Sequence, residues 1–357
     1  MIGMPSKRDL EGAETLPPED AVGTVPSAPP TAAGPPVAKW DRYELHDLLG
    51  KGGMGAVYKA RDRRLDRTVA IKFILGADPN LTMRFLREAR AQARIDHPNV
   101  CRVYEVGEVE GRAYIAIQFV DGEPLGKAAA RMSLDEKIAV MRDVASAIQE
   151  AHRLGIVHRD LKPANIMVER TDDGRWLPVV MDFGLARETT VEAGITESGA
   201  LLGTPAYMSP EQARGDVHVV DRRSDVYSLG ATLYELLTGR TPFPNTSLHL
   251  ALAQVIFDDP RTPRSLVSSI PVDLETIALK CLAKDPTQRY ASARALADDL
   301  GRYLDGEPIL GRRPSLWQRV RMRARRNRAL VTLGASSLAI IVAVASFGVR
   351  TWIVSRN

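Results

Sequence analysis

Two short motifs, at residues 158–165 and 182–184, constrain the fold of this 357-residue chain more than any other feature. The first reads HRDLKPAN and contains Asp160, Lys162 and Asn165; the second reads DFG and begins with Asp182. These four side chains provide a candidate proton acceptor, a candidate cation and two candidate oxygen ligands for a metal ion. They can work together only in a fold that brings both motifs to one place.

A glycine-rich stretch upstream, at residues 50–57, matches the pattern G-x-G-x-x-G-x-V. Residues without a side chain let the backbone turn sharply and approach phosphate oxygens closely. The pattern alone is a weak signal, because a plain hairpin or a dinucleotide-binding fold uses the same glycines. A dinucleotide-binding loop opens into a helix, whereas strand-like runs follow here at 56–60 and 68–74. The order of elements favours a β-hairpin that covers a nucleotide.

Hydrophobic periodicity divides the centre of the chain into a strand-rich part and a helical part. Strand-like runs cover residues 43–49, 56–60, 68–74, 100–106 and 114–120, with one helical stretch at 81–95 after the third run. Beyond residue 121 the predicted elements are helices at 134–154, 225–237, 273–283 and 292–304. The pattern predicts an α+β protein with a five-stranded antiparallel sheet and one helix in its first lobe and a mainly helical second lobe.

In this order the motifs resemble those of the eukaryotic-like (Hanks-type), membrane-anchored Ser/Thr protein kinases of bacteria. The resemblance covers about residues 43–304 and implies a bilobal protein-kinase fold, with an N-lobe at 43–120 and a C-lobe at 121–304. It also implies transfer of the γ-phosphoryl group of ATP to Ser or Thr hydroxyls of proteins, with Mg²⁺ or Mn²⁺ as the metal. A small-molecule kinase and a pseudokinase scaffold are the alternatives.

The resemblance implies a nucleotide site that uses both lobes. Lys72 would contact the α- and β-phosphates, and Glu88, on the helix that follows, would pair with Lys72. The alternative for Glu88 is a surface pair with Arg84, one turn away. Gln92 replaces the apolar residue usual there, which argues against tight docking of this helix. The other implied nucleotide contacts are Leu49, Gly50, Gly52, Gly53, Gly55, Val57, Ala70, Ile117, Gln118, Val120 and Met167.

The catalytic loop carries the implied chemistry. Asp160 resembles the base that accepts the hydroxyl proton, and Lys162 resembles the cation that stabilises the transferring phosphoryl group. Asn165 and Asp182 would supply oxygen ligands to Mg²⁺, which keeps its remaining positions for water and phosphates. His158 is expected to be structural, packed beneath the phenylalanine of DFG. This intact set counts against a pseudokinase.

Further C-lobe positions have implied architectural roles. Ser209 stands where the family motif usually has alanine, in a segment that resembles the one holding the protein substrate. Thr204 would hydrogen-bond the catalytic loop, Glu211 would pair with Arg289, and Asp225 would hold the backbone of the catalytic loop. Such a segment counts against a small-molecule kinase.

Regulation by phosphorylation is a further expectation. Arg159 precedes the catalytic aspartate, and in kinases with this arrangement the arginine meets a phosphorylated activation-loop residue. Thr196 and Ser198 are the predicted autophosphorylation sites. We expect autophosphorylation in trans, within a homodimer.

The C-terminal 46 residues predict membrane attachment. Residues 312–357 contain ten arginines, no lysine and no acidic residue, and 329–349 are uncharged and mostly apolar. Twenty-one such residues match the hydrocarbon thickness of a bilayer, although a buried core helix is the alternative. We expect a basic juxtamembrane segment at 305–328, a transmembrane helix at 329–349 and a short extracytoplasmic tail at 350–357. The positive-inside rule puts the preceding lobes in the cytoplasm.

Composition limits the remaining possibilities. The net charge of +4 combines +10 in residues 312–357 with −6 in the rest, so an acidic body argues against nucleic acid as a partner. The two cysteines indicate a reducing compartment and no disulfide framework. Residues 1–40 hold eight prolines and no long apolar run, which predicts a disordered leader without a signal peptide.

Overall fold

The computed structural model describes residues 37, 40–52, 55–74, 79–183, 205–216, 219–244 and 247–311. The chain divides into two units, 1–39 and 40–357, and the fold below is that of the second. Gly53, Thr196, Ser198, Thr204, almost all of the predicted leader and the predicted membrane segment lie outside the described residues. Within the described ranges, no helix is both long enough and apolar enough to cross a membrane.

The N-lobe is a five-stranded antiparallel sheet with the strand order β1-β2-β3-β5-β4. Its strands are β1 (Tyr43–Gly52), β2 (Gly55–Asp62), β3 (Arg67–Ile74), β4 (Val103–Val109) and β5 (Arg112–Gln118), and helix α1 (Pro79–Gln92) lies between β3 and β4. The turn between β4 and β5 has two residues, Glu110 and Gly111, with φ of 48° and 73°. Left-handed residues at both positions match the twist of a tight hairpin. The prediction of five strands and one helix is confirmed.

Strand β3 is the centre of this sheet. It pairs with β2 on one side and β5 on the other, and all residues from Val69 to Ile74 are buried except Lys72. The sequence of a strand that is covered on both faces is typically apolar throughout. Lys72 is therefore the one ionisable side chain within the buried half of this strand.

The C-lobe is mainly helical and holds the larger apolar core. Its helices are α2 (Leu125–Ala128), α3 (Leu134–Arg153), α4 (Pro210–Arg214), α5 (Arg222–Thr238), α6 (Leu248–Phe257), α7 (Pro263–Leu266), α8 (Val272–Cys281) and α9 (Ala293–Leu304). Helix α5 is central, because 13 of its 17 residues are buried. Helix α3 begins at a capping box, in which Ser133 and Glu136 satisfy each other's backbone N–H groups.

A second, three-stranded sheet carries the two motifs that the sequence singled out. Its strands are β6 (Glu123–Pro124), β7 (Ile166–Arg170) and β8 (Trp176–Val180), in that order. The catalytic loop enters β7, and the DFG motif leaves β8. Because β7 and β8 are antiparallel neighbours with Ile166 opposite Val180, the start of one strand lies beside the end of the other. The sheet thereby brings residues 158–165 next to Asp182.

Backbone contacts fix the junction of the two lobes. The N–H of Cys101, just before β4, donates to the carbonyl of Val180 at 2.9 Å, and the N–H of Val180 donates to the carbonyl of Asn99 at 2.8 Å. The buried amide of Asn99 also donates to the carbonyl of Pro178 at 2.7 Å. These bonds tie the N-lobe to the strand that leads into DFG.

Candidate active site

A cavity of about 390 Å³ lies between the lobes, under the glycine-rich hairpin. The pairing of Gly52 with Gly55 closes the hairpin between β1 and β2. The sequence predicted such a hairpin in preference to a dinucleotide-binding loop, and this prediction is confirmed. A Cβ atom at Gly55 would lie 2.2 Å from the carbonyl oxygen of Phe73, so β3 approaches too closely for a side chain there. Eleven predicted site residues line the cavity: Gly50, Gly52, Gly55, Val57, Lys72, Glu88, Ile117, Asp160, Lys162, Asn165 and Asp182.

The predicted adenine contacts form an apolar group beside this cavity. Ala70, Ile117 and Val120 are buried in one cluster, and Val57 and Met167 pack against it. Leu49 lies on β1 and is 48% exposed. The N–H of Gln118 donates to the carbonyl of Arg102 at 2.9 Å, and the carbonyl of Gln118 accepts from the thiol of Cys101 at 3.7 Å.

Asp160, Lys162 and Asn165 meet at the floor of the cavity. The Lys162 ammonium lies 3.0 Å from Oδ2 of Asp160. Nδ2 of Asn165 donates to the carbonyl of Asp160 at 2.8 Å and to its Oδ2 at 3.1 Å. With its nitrogen engaged by Asp160, the amide of Asn165 turns its oxygen to the other side. The orientation fits the metal-ligand role that the sequence predicts for that oxygen.

Asp225 holds the backbone of the catalytic loop, as predicted. Its carboxylate is fully buried and accepts from the N–H groups of His158 and Arg159, both at 2.8 Å. Nε2 of His152, on α3, lies 2.7 Å from Oδ2. Burial alone would raise the pKa of Asp225, but the bonds from His152 and the backbone hold that pKa below its usual value. No motif in the sequence pointed to His152, because its partner Asp225 lies 73 residues away.

His158 has a structural role in the loop. Its ring centroid lies 4.6 Å from that of Phe183, and the backbone N–H of Asp160 donates to its Nδ1 at 3.3 Å. Nδ1 is therefore an acceptor, so Nε2 carries the proton and donates to the carbonyl of Met181 at 2.9 Å. Complete burial lowers the pKa of His158, which keeps the ring neutral.

Two non-glycine residues at the site have a left-handed backbone: Arg159, with φ of 64°, and Asp182, with φ of 47°. This conformation costs about 1–2 kcal/mol for a residue with a side chain. Such strain persists only where neighbouring groups hold it, and it concentrates at functional sites. Arg159 directly precedes Asp160, and Asp182 is the predicted metal ligand.

The predicted ion pair between Lys72 and Glu88 is not formed among the described residues, and this part of the prediction was wrong. The Lys72 ammonium instead lies 2.6 Å from Oδ1 of Asp182. Oε1 of Glu88 is buried and has no hydrogen-bond partner in the described part of the chain. Burial raises the pKa of Glu88 to about 7, with a smaller opposing effect from Lys72.

The raised pKa predicts a pH-dependent effect of Glu88→Gln. The folded protein resists ionisation of Glu88 until about pH 7, whereas the unfolded chain ionises near 4.5. Stability present below pH 4.5 is therefore lost as the pH rises through 7, and the neutral glutamine escapes this loss. Urea unfolding should find Glu88→Gln gaining about 2 kcal/mol over wild type between pH 5 and pH 8. The exposed Glu108→Gln serves as the control, and an equal pH response in both variants would contradict the burial argument.

Gln92 docks helix α1 more firmly than the sequence suggested. The residue is 8% exposed, and its Nε2 donates to the carbonyl of Cys101 at 2.8 Å. The prediction that Gln92 weakens the docking of helix α1 was wrong, because a hydrogen bond satisfies the buried side-chain amide of Gln92. The bond joins α1 to the chain segment that enters β4.

Glu211 and Arg289 form the predicted pair in a buried, bidentate geometry. The two N–H···O distances are 2.7 and 2.8 Å, and the side chains are 4% and 0% exposed. Ser224 donates to Oε1 of Glu211 at 2.7 Å, and Arg289 also donates to the carbonyls of Ala283, Arg223 and Lys284. Burial would raise the pKa of Glu211, but Arg289 holds it below its usual value. The pair ties the segment after the activation loop to the end of the C-lobe.

A sequence model of the protein kinase domain matches residues 43–300. This chain belongs to the protein kinase family. The serine/threonine-protein kinase PknB of Mycobacterium leprae is 44% identical over 278 residues, which cover 75% of this chain and 44% of that protein. This kinase chain thus spans less than half of the length of the curated relative that it matches.

Solved structures agree with the family assignment. The kinase domain of PknI from Mycobacterium tuberculosis has a TM-score of 0.57 and 27% identity, covering 74% of this chain and 96% of that one. Rad53 in complex with AMP-PNP has a TM-score of 0.59 and 26% identity, covering 72% of this chain and 64% of that one. The predicted kinase family and bilobal fold are confirmed.

Proposed function

We propose that this kinase transfers the γ-phosphoryl group of ATP to Ser and Thr hydroxyl groups of proteins. The observation that carries the proposal is the convergence of Asp160, Lys162, Asn165 and Asp182 on one cavity that Lys72 also lines. The matched relative from Mycobacterium leprae is named a serine/threonine-protein kinase, and the Rad53 structure is a complex with AMP-PNP. The first supports Ser and Thr as acceptors, and the second supports ATP as the phosphoryl donor.

The donor set fits Mg²⁺. The amide oxygen of Asn165 and the carboxylate of Asp182 are hard oxygen ligands, and both residues line the cavity of about 390 Å³. A bound Mg²⁺ would neutralise phosphate charge and orient the terminal phosphoryl group. Mn²⁺ shares the same ligand preference.

The chain's own residues supply positioning and charge. Asp160 orients the substrate hydroxyl and takes its proton as the new O–P bond forms. Lys162, at 3.0 Å from Asp160, lies where negative charge increases during transfer. Lys72, held by Asp182 at 2.6 Å, places a second cation at the same cavity. Little covalent chemistry by the protein is needed.

A transfer assay tests this proposal. The full chain, purified in detergent and incubated with Mg²⁺ and ATP labelled at the γ-phosphate, should label itself and an added protein substrate. Phosphoamino-acid analysis should find phosphoserine and phosphothreonine. Lys72→Met should nearly abolish labelling, whereas the exposed Lys127→Met should retain it. Equal labelling by wild type and Lys72→Met, or label on tyrosine alone, counts against the proposal.

Regulation by autophosphorylation in a homodimer is part of the proposal. Thr196 and Ser198, in the loop after DFG, are the proposed sites. The supporting observation is Arg159, whose backbone the C-lobe holds beside Asp160. Phosphopeptide mapping of active protein should find both residues phosphorylated. Active protein in which neither residue is phosphorylated would contradict autophosphorylation at these sites.

Membrane anchoring by residues 329–349, with the kinase domain in the cytoplasm, is also proposed. Its support is the sequence: 21 uncharged residues preceded by eight arginines and followed by two. The full chain should be recovered in the membrane fraction, and deletion of 329–349 should release it. A full chain that stays in the supernatant counts against the anchor.

A further inference from the structure

The residue before the proposed base is held on both sides of its backbone. The N–H of Arg159 donates to Oδ1 of Asp225 at 2.8 Å, and its carbonyl accepts from Nε2 of Gln212 at 2.9 Å. Arg159 has a left-handed φ of 64°, a conformation that requires such support. The Asp225 bond comes from α5, whereas the Gln212 bond comes from α4, which follows the activation loop. The two peptide groups that flank the Cα atom of Arg159 are therefore held by different helices, and the one that joins Arg159 to Asp160 is held by Gln212.

The start of helix α4 fixes the orientation of the Gln212 amide. Oε1 of Gln212 accepts from the N–H of Ser209 at 3.1 Å and from the Ser209 hydroxyl at 3.0 Å. Oγ of Ser209 in turn accepts from the N–H of Gln212 at 3.4 Å, which completes a capping box. With the amide oxygen bound to Ser209, the nitrogen must face Arg159. Ser209 is fully buried, and an alanine at this position would lack the hydroxyl bonds.

We propose that Gln212 is a positioning residue for Asp160, acting through the carbonyl of Arg159. The inference rests on the proposed kinase activity, because Asp160 is the base only in that reaction. Loss of the Gln212 donor leaves the Arg159 carbonyl without this bond and removes one of the two supports of the left-handed backbone. Asp160, the next residue, then moves relative to the hydroxyl that it must orient. A misplacement of about 1 Å at a reacting group can cost about a hundredfold in rate.

Helix capping alone is the competing explanation, and Gln212→Glu separates the two. Glutamate, like glutamine, is a regular partner of an N-cap serine at this position of a capping box. Gln212→Glu therefore keeps the size of the side chain and an oxygen that accepts from Ser209. It replaces the donor toward Arg159 with a second carboxylate oxygen, which repels the carbonyl. A cap needs only the first oxygen, whereas positioning needs the donor.

The test measures kcat and the KM for ATP of the full chain, together with urea unfolding. We expect Gln212→Glu to lower kcat about tenfold to a hundredfold, with the KM for ATP within about twofold of wild type and unfolding unchanged. Gln149→Glu is the matched control: Oε1 of Gln149 accepts from the N–H of Arg294 at the start of α9, which is a different helix start from that of α4. Gln149→Glu should leave kcat unchanged.

An unchanged kcat in Gln212→Glu overturns the inference. Should that variant lose stability, Gln212→Met provides the readout, because it keeps the side-chain length without either donor or acceptor. A normal kcat in Gln212→Met likewise overturns the inference, and a reduced kcat with unchanged KM for ATP supports it. Wild-type protein that transfers no phosphate refutes the proposed function itself, an outcome distinct from all of these.

Discussion

Asp160→Asn is expected to lower kcat about 10²–10⁴-fold, the usual contribution of a positioned general base. An asparagine fills the same space, and its oxygen can still accept from Lys162 and Asn165, which now lie 3.0 and 3.1 Å from Oδ2. The amide cannot take the proton of the substrate hydroxyl. We therefore expect the KM for ATP to stay close to that of wild type, because the loss falls on the transfer step.

Steady-state phosphorylation of one protein substrate measures this effect. The exposed Asp172→Asn, in the turn between β7 and β8, is the matched control and should behave as wild type. Retention of more than about a tenth of kcat in Asp160→Asn would place it outside the range expected for a general base. A matching rise in the KM for ATP would instead make Asp160 a nucleotide-binding residue.

Arg289→Met is expected to lower the free energy of unfolding by about 3–5 kcal/mol, because it leaves Glu211 buried without its cation. The pair is bidentate, and both side chains are almost completely inaccessible to water. Urea unfolding measures the loss. Adding Glu211→Gln to Arg289→Met should recover part of it, because the double variant no longer buries a charge.

An exposed pair with a similar N···O distance is the control for this prediction. Arg294 lies 2.8 Å from Asp298, but the two side chains are 68% and 49% exposed. Arg294→Met should cost at most about 1 kcal/mol, because water screens the pair. Equal losses in Arg289→Met and Arg294→Met would mean that burial does not determine the strength of the Glu211 pair.

The fold was predictable from the sequence where the hydrophobic periodicity and the length of a segment indicate the same type of element. The alternation of the N-lobe strands and the long amphipathic pattern of α3 led to the observed elements. Strands β7 and β8 were missed because each has only five residues, and short apolar runs cannot be told from part of a buried helix. Helix α6 was missed because its sequence, LHLALAQVIF, has no clear polar face.

The site was predictable where its catalytic residues lie close together in the sequence. Asp160, Lys162 and Asn165 meet because one loop carries all three. Spacing could not predict the partner of Lys72, because Asp182 lies 110 residues further along the chain. Nor could it give the bond of Gln212 to Arg159, which joins groups 53 residues apart and depends on the orientation of one amide.

A crystal structure with Mg²⁺ and a non-hydrolysable ATP analogue tests the central claim most directly. The account predicts the triphosphate in the cavity beneath the glycine-rich hairpin, with Mg²⁺ about 2.0–2.1 Å from the amide oxygen of Asn165 and a carboxylate oxygen of Asp182. The terminal phosphate should face Asp160 and Lys162. An analogue bound elsewhere, or a metal held without Asn165 and Asp182, would contradict the account.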